Sequence, residues 1–131
     1  MNLNNFTIKT QEAIQRAQQI AMDAGTDSIQ VGHLLKGILE VDESVTPFLF
    51  SKLGINIDIV GKAIDGVNKS YPKVSGGSPS FARFSTEAIN KSMQHMREMG
   101  DEYLTIEHIW LGALQTSDSA SQLLKDSGLN E

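Results

Sequence analysis

The sequence predicts an all-α domain made of two copies of one helical unit, packed about a pseudo-twofold axis. Three observations carry this. First, Ala24–Leu39, AGTDSIQVGHLLKGIL, falls on Met99–Leu114, MGDEYLTIEHIWLGAL, when the chain is slid by 75 positions. Gly25 meets Gly100, Ile29 meets Leu104, Val31 meets Ile106, His33 meets His108, Gly37 meets Gly112 and Leu39 meets Leu114. Upstream, Glu12-Ala13-Ile14 meets Glu87-Ala88-Ile89; downstream the register slips by one, so that Leu53-Gly54-Ile55-Asn56 meets Ser127-Gly128-Leu129-Asn130. A fixed-offset repeat marks a reused supersecondary unit. Second, apolar residues recur at helical spacing and no run alternates with period two. Third, each copy leaves apolar faces that it cannot cover alone. Packing the copies together covers most of them and leaves a crease between them.

Residues 1 to 6 form a short lead, with Leu3 and Phe6 free to pack. Thr7 is placed to cap the first helix, with Thr10 as the rival cap. That helix runs to about Ala24, with Ile14, Ala17, Ala21 and Ala24 in a stripe and Ile20 beside it. A stripe of alanines lets a neighbouring helix approach closely. Gly25 is placed to stop the helix in the left-handed conformation. The second helix, about Val31 to Glu40, buries Val31, Leu34, Leu35, Ile38 and Leu39. Asp42-Glu43-Ser44 reads as a polar turn. Thr46-Pro47 reads as a cap followed by proline at the first helical position, where a missing N–H costs nothing. The third helix, Pro47 to Leu53, carries Phe48, Leu49, Phe50 and Leu53 and ends at Gly54. Asn56 caps a fourth helix to about Ser70, with Ile57, Val60, Ile64 and Val67 at helical spacing.

Residues 71–84, YPKVSGGSPSFARF, are rich in proline, glycine and serine and read as an irregular linker. The second copy starts at Ser85. Ile89, Met93 and Met96 form its first stripe, bordered by Met99 and closed by Gly100. Thr105 caps the next helix, in which Ile106, Ile109, Trp110, Ala113 and Leu114 face inward. Ser117 or Ser119 opens a last helix with Leu123 and Leu124, stopped by Gly128. The division is therefore one domain over residues 1–131, with repeat 1 at 1–70, the linker at 71–84 and repeat 2 at 85–131. The first copy has a fourth helix and the second does not, so the second is read as truncated.

The 131 residues suffice for one compact core, and a 40% hydrophobic and 21% charged composition is ordinary for a globular domain. A net charge of −5 argues against a general nucleic-acid or anionic-membrane binder. With no cysteine there is no disulfide frame, thiolate metal site or cysteine nucleophile. No apolar run approaches the roughly 20 residues that span a bilayer. MNLNNFTIKT lacks the plan of a secretory signal, so cytoplasmic residence is expected.

No residue set makes a catalytic or metal site by pattern. His33, His95 and His108 lack HExxH-type spacing. His33 and His108, as repeat mates near equivalent helix starts, read as structural histidines in a helix-packing layer. Asp101 and Glu107 flank a turn without any accompanying nucleophile or metal, and read as solvated acids, Glu107 also suiting a helix's first turn. Gly76-Gly77 lacks the GxxxxGK[ST] pattern of a phosphate loop. Met93, Met96 and Met99 read as a core stripe, with an adaptable binding surface as the alternative, and Trp110 reads as core, with a role at the crease as its alternative.

FTIKTQEAI, HLLKGIL, PKVSGG and MGDEYLTIEH followed by LGAL resemble the N-terminal Clp repeat domain of ClpB-type protein-disaggregating chaperones, in its Bacteroidetes form, over nearly the whole chain. The resemblance implies eight helices in two pseudo-symmetric halves, the last missing here. It implies no catalysis and no cofactor in this domain, with ATP and Mg²⁺ belonging to ATPase modules outside it. The implied partners are unfolded or aggregated polypeptides, and through the parent protein a DnaK-type chaperone system. The implied assembly is a monomeric isolated domain within a homohexameric parent. The positions that match the family's substrate-handling residues are Thr7, Asp101 and Glu107, with Lys91, His95, Tyr103 and His108 as further implied contacts. Lys91, His95 and His108 stand where the enterobacterial relative has groove-lining leucines, which implies a more polar, pH-sensitive groove. The related ClpC domain reads phosphoarginine with a Glu-His pair in each repeat. Here Glu107-His108 keeps the pair and Gly32-His33 does not, so a double-glutamate site is not expected. An adaptor-docking domain of a protease-coupled ClpC- or ClpA-type ATPase is the alternative function.

Overall fold

A computed structural model describes residues 4–73, 79–116 and 118–129. The first copy contributes α1 (Ile8–Ala24), β1 (Ser28–Ile29), α2 (Val31–Val41), α3 (Val45–Lys52) and α4 (Ile57–Ser70). The second contributes β2 (Ser80–Phe81), α5 (Arg83–Glu98), α6 (Ile106–Leu114) and α7 (Ser119–Asp126). The domain is helical as predicted, with two additions too short to leave a periodic signal.

Those additions are strand pairings, and they join the copies. β1 pairs in parallel with β2, Ile29 opposite Phe81, and Phe6 forms a parallel bridge with Leu104. The two pairings are related by the same 75-residue offset that relates the copies. Thr7 N–H donates to Leu104 O at 3.0 Å, and its counterpart Ala82 N–H donates to Ile29 O at 3.0 Å. The hydroxyl of Thr10 donates to Leu104 O at 3.0 Å, and that of Ser85 to Ile29 O at 2.5 Å. Each copy's lead thus satisfies buried backbone groups of the other. Consequently α5 starts at Arg83 rather than Ser85, because Ser85 faces inward to reach across the boundary.

Within each copy the first two helices cross at close range. α1 lies on α2 and α5 on α6. A Cβ built on Gly37 would lie 2.5 Å from Ala13 O, and one on Gly112 would lie 2.2 Å from Ala88 O. Only glycine on one helix facing alanine or serine on the other permits this approach. Gly25 and Gly100 close α1 and α5 at φ 75° and 74°, the left-handed region that favours glycine. The third helices cross over: α3 packs on α6 and α7 on α2. One apolar core results, running from Phe6 and Leu35 through Phe50 and Ile64 to Ile89, Leu104 and Leu124. Trp110 is core as expected, its ring centroid 5.1 Å from that of Phe50 and its Nε1–H donating to Thr46 Oγ1 at 2.9 Å.

Two sequence expectations are corrected and one is refined. α3 starts at Val45, not Pro47, because the Asp42 carboxylate accepts from the N–H groups of Ser44, Val45 and Thr46 at 3.2, 3.1 and 2.6 Å. Thr46 is buried instead of capping, and Pro47 sits third in the helix, where its N–H would still be unpaired. α7 opens at Ser119, one of the two expected positions, and is capped by Asp118, whose carboxylate accepts from Ala120 N–H at 2.8 Å. Ser117, the other expected cap, lies outside the described residues, as does Gly76-Gly77. Finally, Phe48, Leu53 and Met99 are exposed rather than packed, while Met96 is buried and Met93 half-buried.

Candidate functional site

The copies meet along a boundary that leaves one large open hollow of about 600 Å³. Its walls are the start of α1, the loop between α5 and α6, the first turn of α6 and the start of α3. Thr7, Asp101, Tyr103, Glu107 and His108 all line it. Asp42 and Lys9 join them. The structure therefore gathers five of the seven sequence candidates in one place.

Each side chain is fixed by a local device. Thr7 caps α1, its Oγ1 accepting from Thr10 N–H at 3.2 Å. Its own N–H is held on Leu104, so the cap is pinned beside the Asp101–Tyr103 loop. At α6, Thr105 and His108 form a reciprocal cap in which Thr105 N–H donates to His108 Nδ1 at 2.9 Å. A backbone N–H can only donate, so Nδ1 is the acceptor and the neutral ring carries its proton on Nε2. That Nε2–H donates to Asp101 Oδ2 at 2.9 Å, which aims the half-exposed carboxylate over the hollow. Glu107 and Tyr103 are exposed, Glu107 in the first turn of α6, where the helix dipole favours its charge. Asp42 is nearly buried. Burial pushes its carboxyl pKa up, but the hydrogen bonds from Thr46, Ser44 and Val45 hold it below the ordinary value. The rim is thus acidic: Asp42, Asp101, Glu102 and Glu107 face the single cation Lys9 among the lining residues.

Lys91 and His95 lie elsewhere, on α5. Lys91 Nζ is engaged by Gln115 O at 2.8 Å and Glu87 at 3.1 Å. His95 is half-buried, with Nε2 unpartnered. Sequence reasoning missed Asp42. Its position two residues before Ser44 and five before Pro47 was the available signal for a carboxylate cap.

A smaller cavity of about 270 Å³ adjoins the hollow through Glu107 and is lined by Leu53, Trp110, Leu111, Leu114 and Leu129. In the first copy the matching face of α2 is covered by α4, where Lys36 bonds Asp65 at 2.9 Å. No group of three or more metal-ligating side chains converges among the described residues.

The chain matches known proteins over nearly its whole length. Residues 5–127 match the family described as the Clp repeat (R) N-terminal domain. The chain belongs to that family. It is 45% identical over 131 residues to chaperone protein ClpB of Bacteroides thetaiotaomicron, covering 100% of this chain and 15% of that protein. It is 40% identical over the same length to ClpB of Porphyromonas gingivalis. The Hsp104 N-terminal domain from Candida albicans superposes with a TM-score of 0.85 at 15% identity, covering 97% of this chain and 84% of that one. As a Clp N-terminal domain the chain contains no ATPase module. It spans about 15% of the length of the curated relatives it matches. No described helix is long and apolar enough to cross a membrane.

Proposed function

We propose that this Clp N-terminal domain recruits unfolded or aggregated polypeptide to a ClpB-type disaggregase, without itself changing covalent bonds. The observation that carries the reading is the convergence of Thr7, Asp101 and Glu107, from both copies, on one open hollow. A client segment places an apolar side chain among Tyr103, Val45 and the aliphatic walls. Asp101, Glu102 and Glu107 then favour basic residues flanking it. One such contact is weak. Six copies on a hexameric ring would raise the apparent affinity roughly 10²-fold or more through effective concentration. Work with a DnaK-type system and a cytoplasmic site of action belong to the same proposal.

The test is an amide NMR titration of the domain with a soluble, permanently unfolded protein. Shifts confined to Thr7, Asp101–His108 and Asp42–Val45 support the reading. Shifts that avoid these residues overturn it. A second reading, docking of a folded adaptor or dedicated peptide, is favoured by one neighbour: a ClpV N-domain of this fold has been solved in complex with a VipB peptide. A folded adaptor that displaces the unfolded client from the hollow would favour that reading.

A further inference from the structure

The reciprocal cap that opens α6 is built twice in the chain, and the two builds differ in what one ring nitrogen meets. At the start of α2, Gln30 N–H donates to His33 Nδ1 at 2.9 Å. At the start of α6, Thr105 N–H donates to His108 Nδ1 at 2.9 Å, with the Thr105 hydroxyl 3.1 Å from the same nitrogen. Both rings are buried, His33 completely and His108 to 2% exposure. Each Nδ1 faces a donor, so each neutral ring carries its proton on Nε2. There the copies part. His33 Nε2 is buried without a hydrogen-bond partner among the described residues. The position that matches Asp101 is Thr26, whose hydroxyl donates instead to Ala21 O and Ser28 O at 3.1 and 3.0 Å. His108 Nε2–H, by contrast, donates to Asp101 Oδ2 at 2.9 Å. The first copy shows that this helix start stands without a carboxylate on Nε2. The bond between His108 and Asp101 is therefore extra to the cap.

Its effect falls on Asp101. The backbone there is already fixed, because Asp101 N–H donates to Met96 O at 3.0 Å behind the left-handed Gly100. The side chain is half exposed and, left alone, would turn among its rotamers. Lys9, the one cation among the lining residues, is drawn to Glu12 at 3.5 Å. We infer that His108 is a positioning residue of the client site: its Nε2–H holds one oxygen of Asp101 and leaves the other to meet a cationic side chain of the client. His108 is too deeply buried to touch the client itself. The inference rests on the client-recruiting reading and names what sets the charge selectivity of that site. A carboxylate held in place before the client arrives spares the complex the cost of ordering it. A neutral donor on its far oxygen fixes its direction and leaves its negative charge for the client.

Two substitutions separate the capping role of His108 from the positioning role. In His108→Asn the amide oxygen is bonded to Cγ, as Nδ1 is, so it can still accept from Thr105 N–H, but the side chain ends short of Asp101. In His108→Gln the amide nitrogen lies further out, as Nε2 does, and can donate to Asp101 in its place. The probes are a labelled unfolded peptide in which lysines flank a leucine segment, and the same peptide with its lysines acetylated, titrated at low salt and followed by anisotropy. Wild type should prefer the lysine form. In His108→Asn, checked for folding by circular dichroism, that preference should fall roughly threefold to tenfold, the cost of ordering one side chain. His108→Gln should recover most of it. Asp101→Asn should lose at least as much, and adding His108→Asn to it should cost nothing further, because groups that act through one another are not additive. A preference undiminished in folded His108→Asn overturns the inference. So does an equal loss in both His108 variants, or a loss that adds to that of Asp101→Asn, since a merely structural ring would behave in those ways. If the His108 variants do not fold, wild type decides: the lysine peptide should move the His108 Nε2 resonance of the 15N-labelled chain, and an unmoved resonance overturns the inference. Amide shifts at Thr7 and Asp101–Glu107 without coupling to His108 remove the positioning role and leave client recruitment standing. Shifts that avoid the hollow remove both.

Discussion

Replacing Gly112 by alanine tests how the two helices of a copy are held, and the structure fixes the sign. The added Cβ would stand 2.2 Å from Ala88 O, 2.8 Å from Ser92 N and 2.1 Å from Ser92 Oγ. The serine hydroxyl could rotate away, giving up its bond to Ala88 O at 2.6 Å. The two backbone atoms cannot, so α5 and α6 must part by about 1 Å. Overpacking of this kind costs up to about 3 kcal/mol. Alanine's better helix propensity returns about 1 kcal/mol. The net loss is therefore about 2 kcal/mol. With an unfolding entropy of about 2.1 cal/mol/K per residue, a chain of 131 residues loses roughly 7 °C of melting temperature. Gly66→Ala is the control. That glycine lies on α4 with nothing within 4 Å of an added Cβ. The same substitution there should stabilise by about 0.4–1 kcal/mol, or raise the melting temperature by roughly 1.5–3.5 °C. Differential scanning calorimetry of both variants reads the two signs. A Gly112→Ala variant that melts at or above wild type would refute the close crossing of α5 and α6.

Three further outcomes follow from particular side chains. Asp42→Ala removes the cap of α3 and should cost about 1–2 kcal/mol at pH 6 in urea unfolding. Because Asp42's folded pKa lies below its unfolded value, the wild-type advantage is full above about pH 4 and shrinks as pH falls further. His33 is buried as the neutral ring with its pKa lowered to about 4 by burial. Its imidazole signals should therefore not titrate between pH 8 and 5. Stability should be complete above about pH 6.5 and decline, on the order of a few kcal/mol in all, as pH falls from 6.5 toward 4. Trp110→Phe severs the buried bond to Thr46 and should lower stability by about 1–3 kcal/mol, measured by urea denaturation.

The repeat made much of this fold legible. Gly25 and Gly100, Thr7 and Thr105, Asn56 and the small residues facing Gly37 and Gly112 each carry a local rule, and local rules survive in sequence. What was hidden depends on contacts across the copy boundary. Asp42 is the local exception: it caps from outside the helix it starts, and its spacing before Ser44 and Pro47 was the signal for it. Two-residue strands leave no period, so the crossed leads at Phe6 and Phe81 were unreadable. Tyr71 looked like the first residue of a linker because its partners, Gly32 and Asp118, lie 39 and 47 residues away. The clustering of Thr7 with Asp101 and Glu107 came from family resemblance, since nothing in their spacing brings residue 7 to residue 101.

The most direct trial of the hollow as the client site is the affinity of a fluorescently labelled unfolded protein for wild type and for Glu107→Gln, followed by anisotropy at low salt. Glu107 is exposed on the rim, so the substitution removes one charge and leaves the fold intact by circular dichroism. An affinity about threefold to tenfold weaker, with the gap closing as salt screens the rim, is the predicted result. An affinity that does not change at any salt concentration contradicts the account.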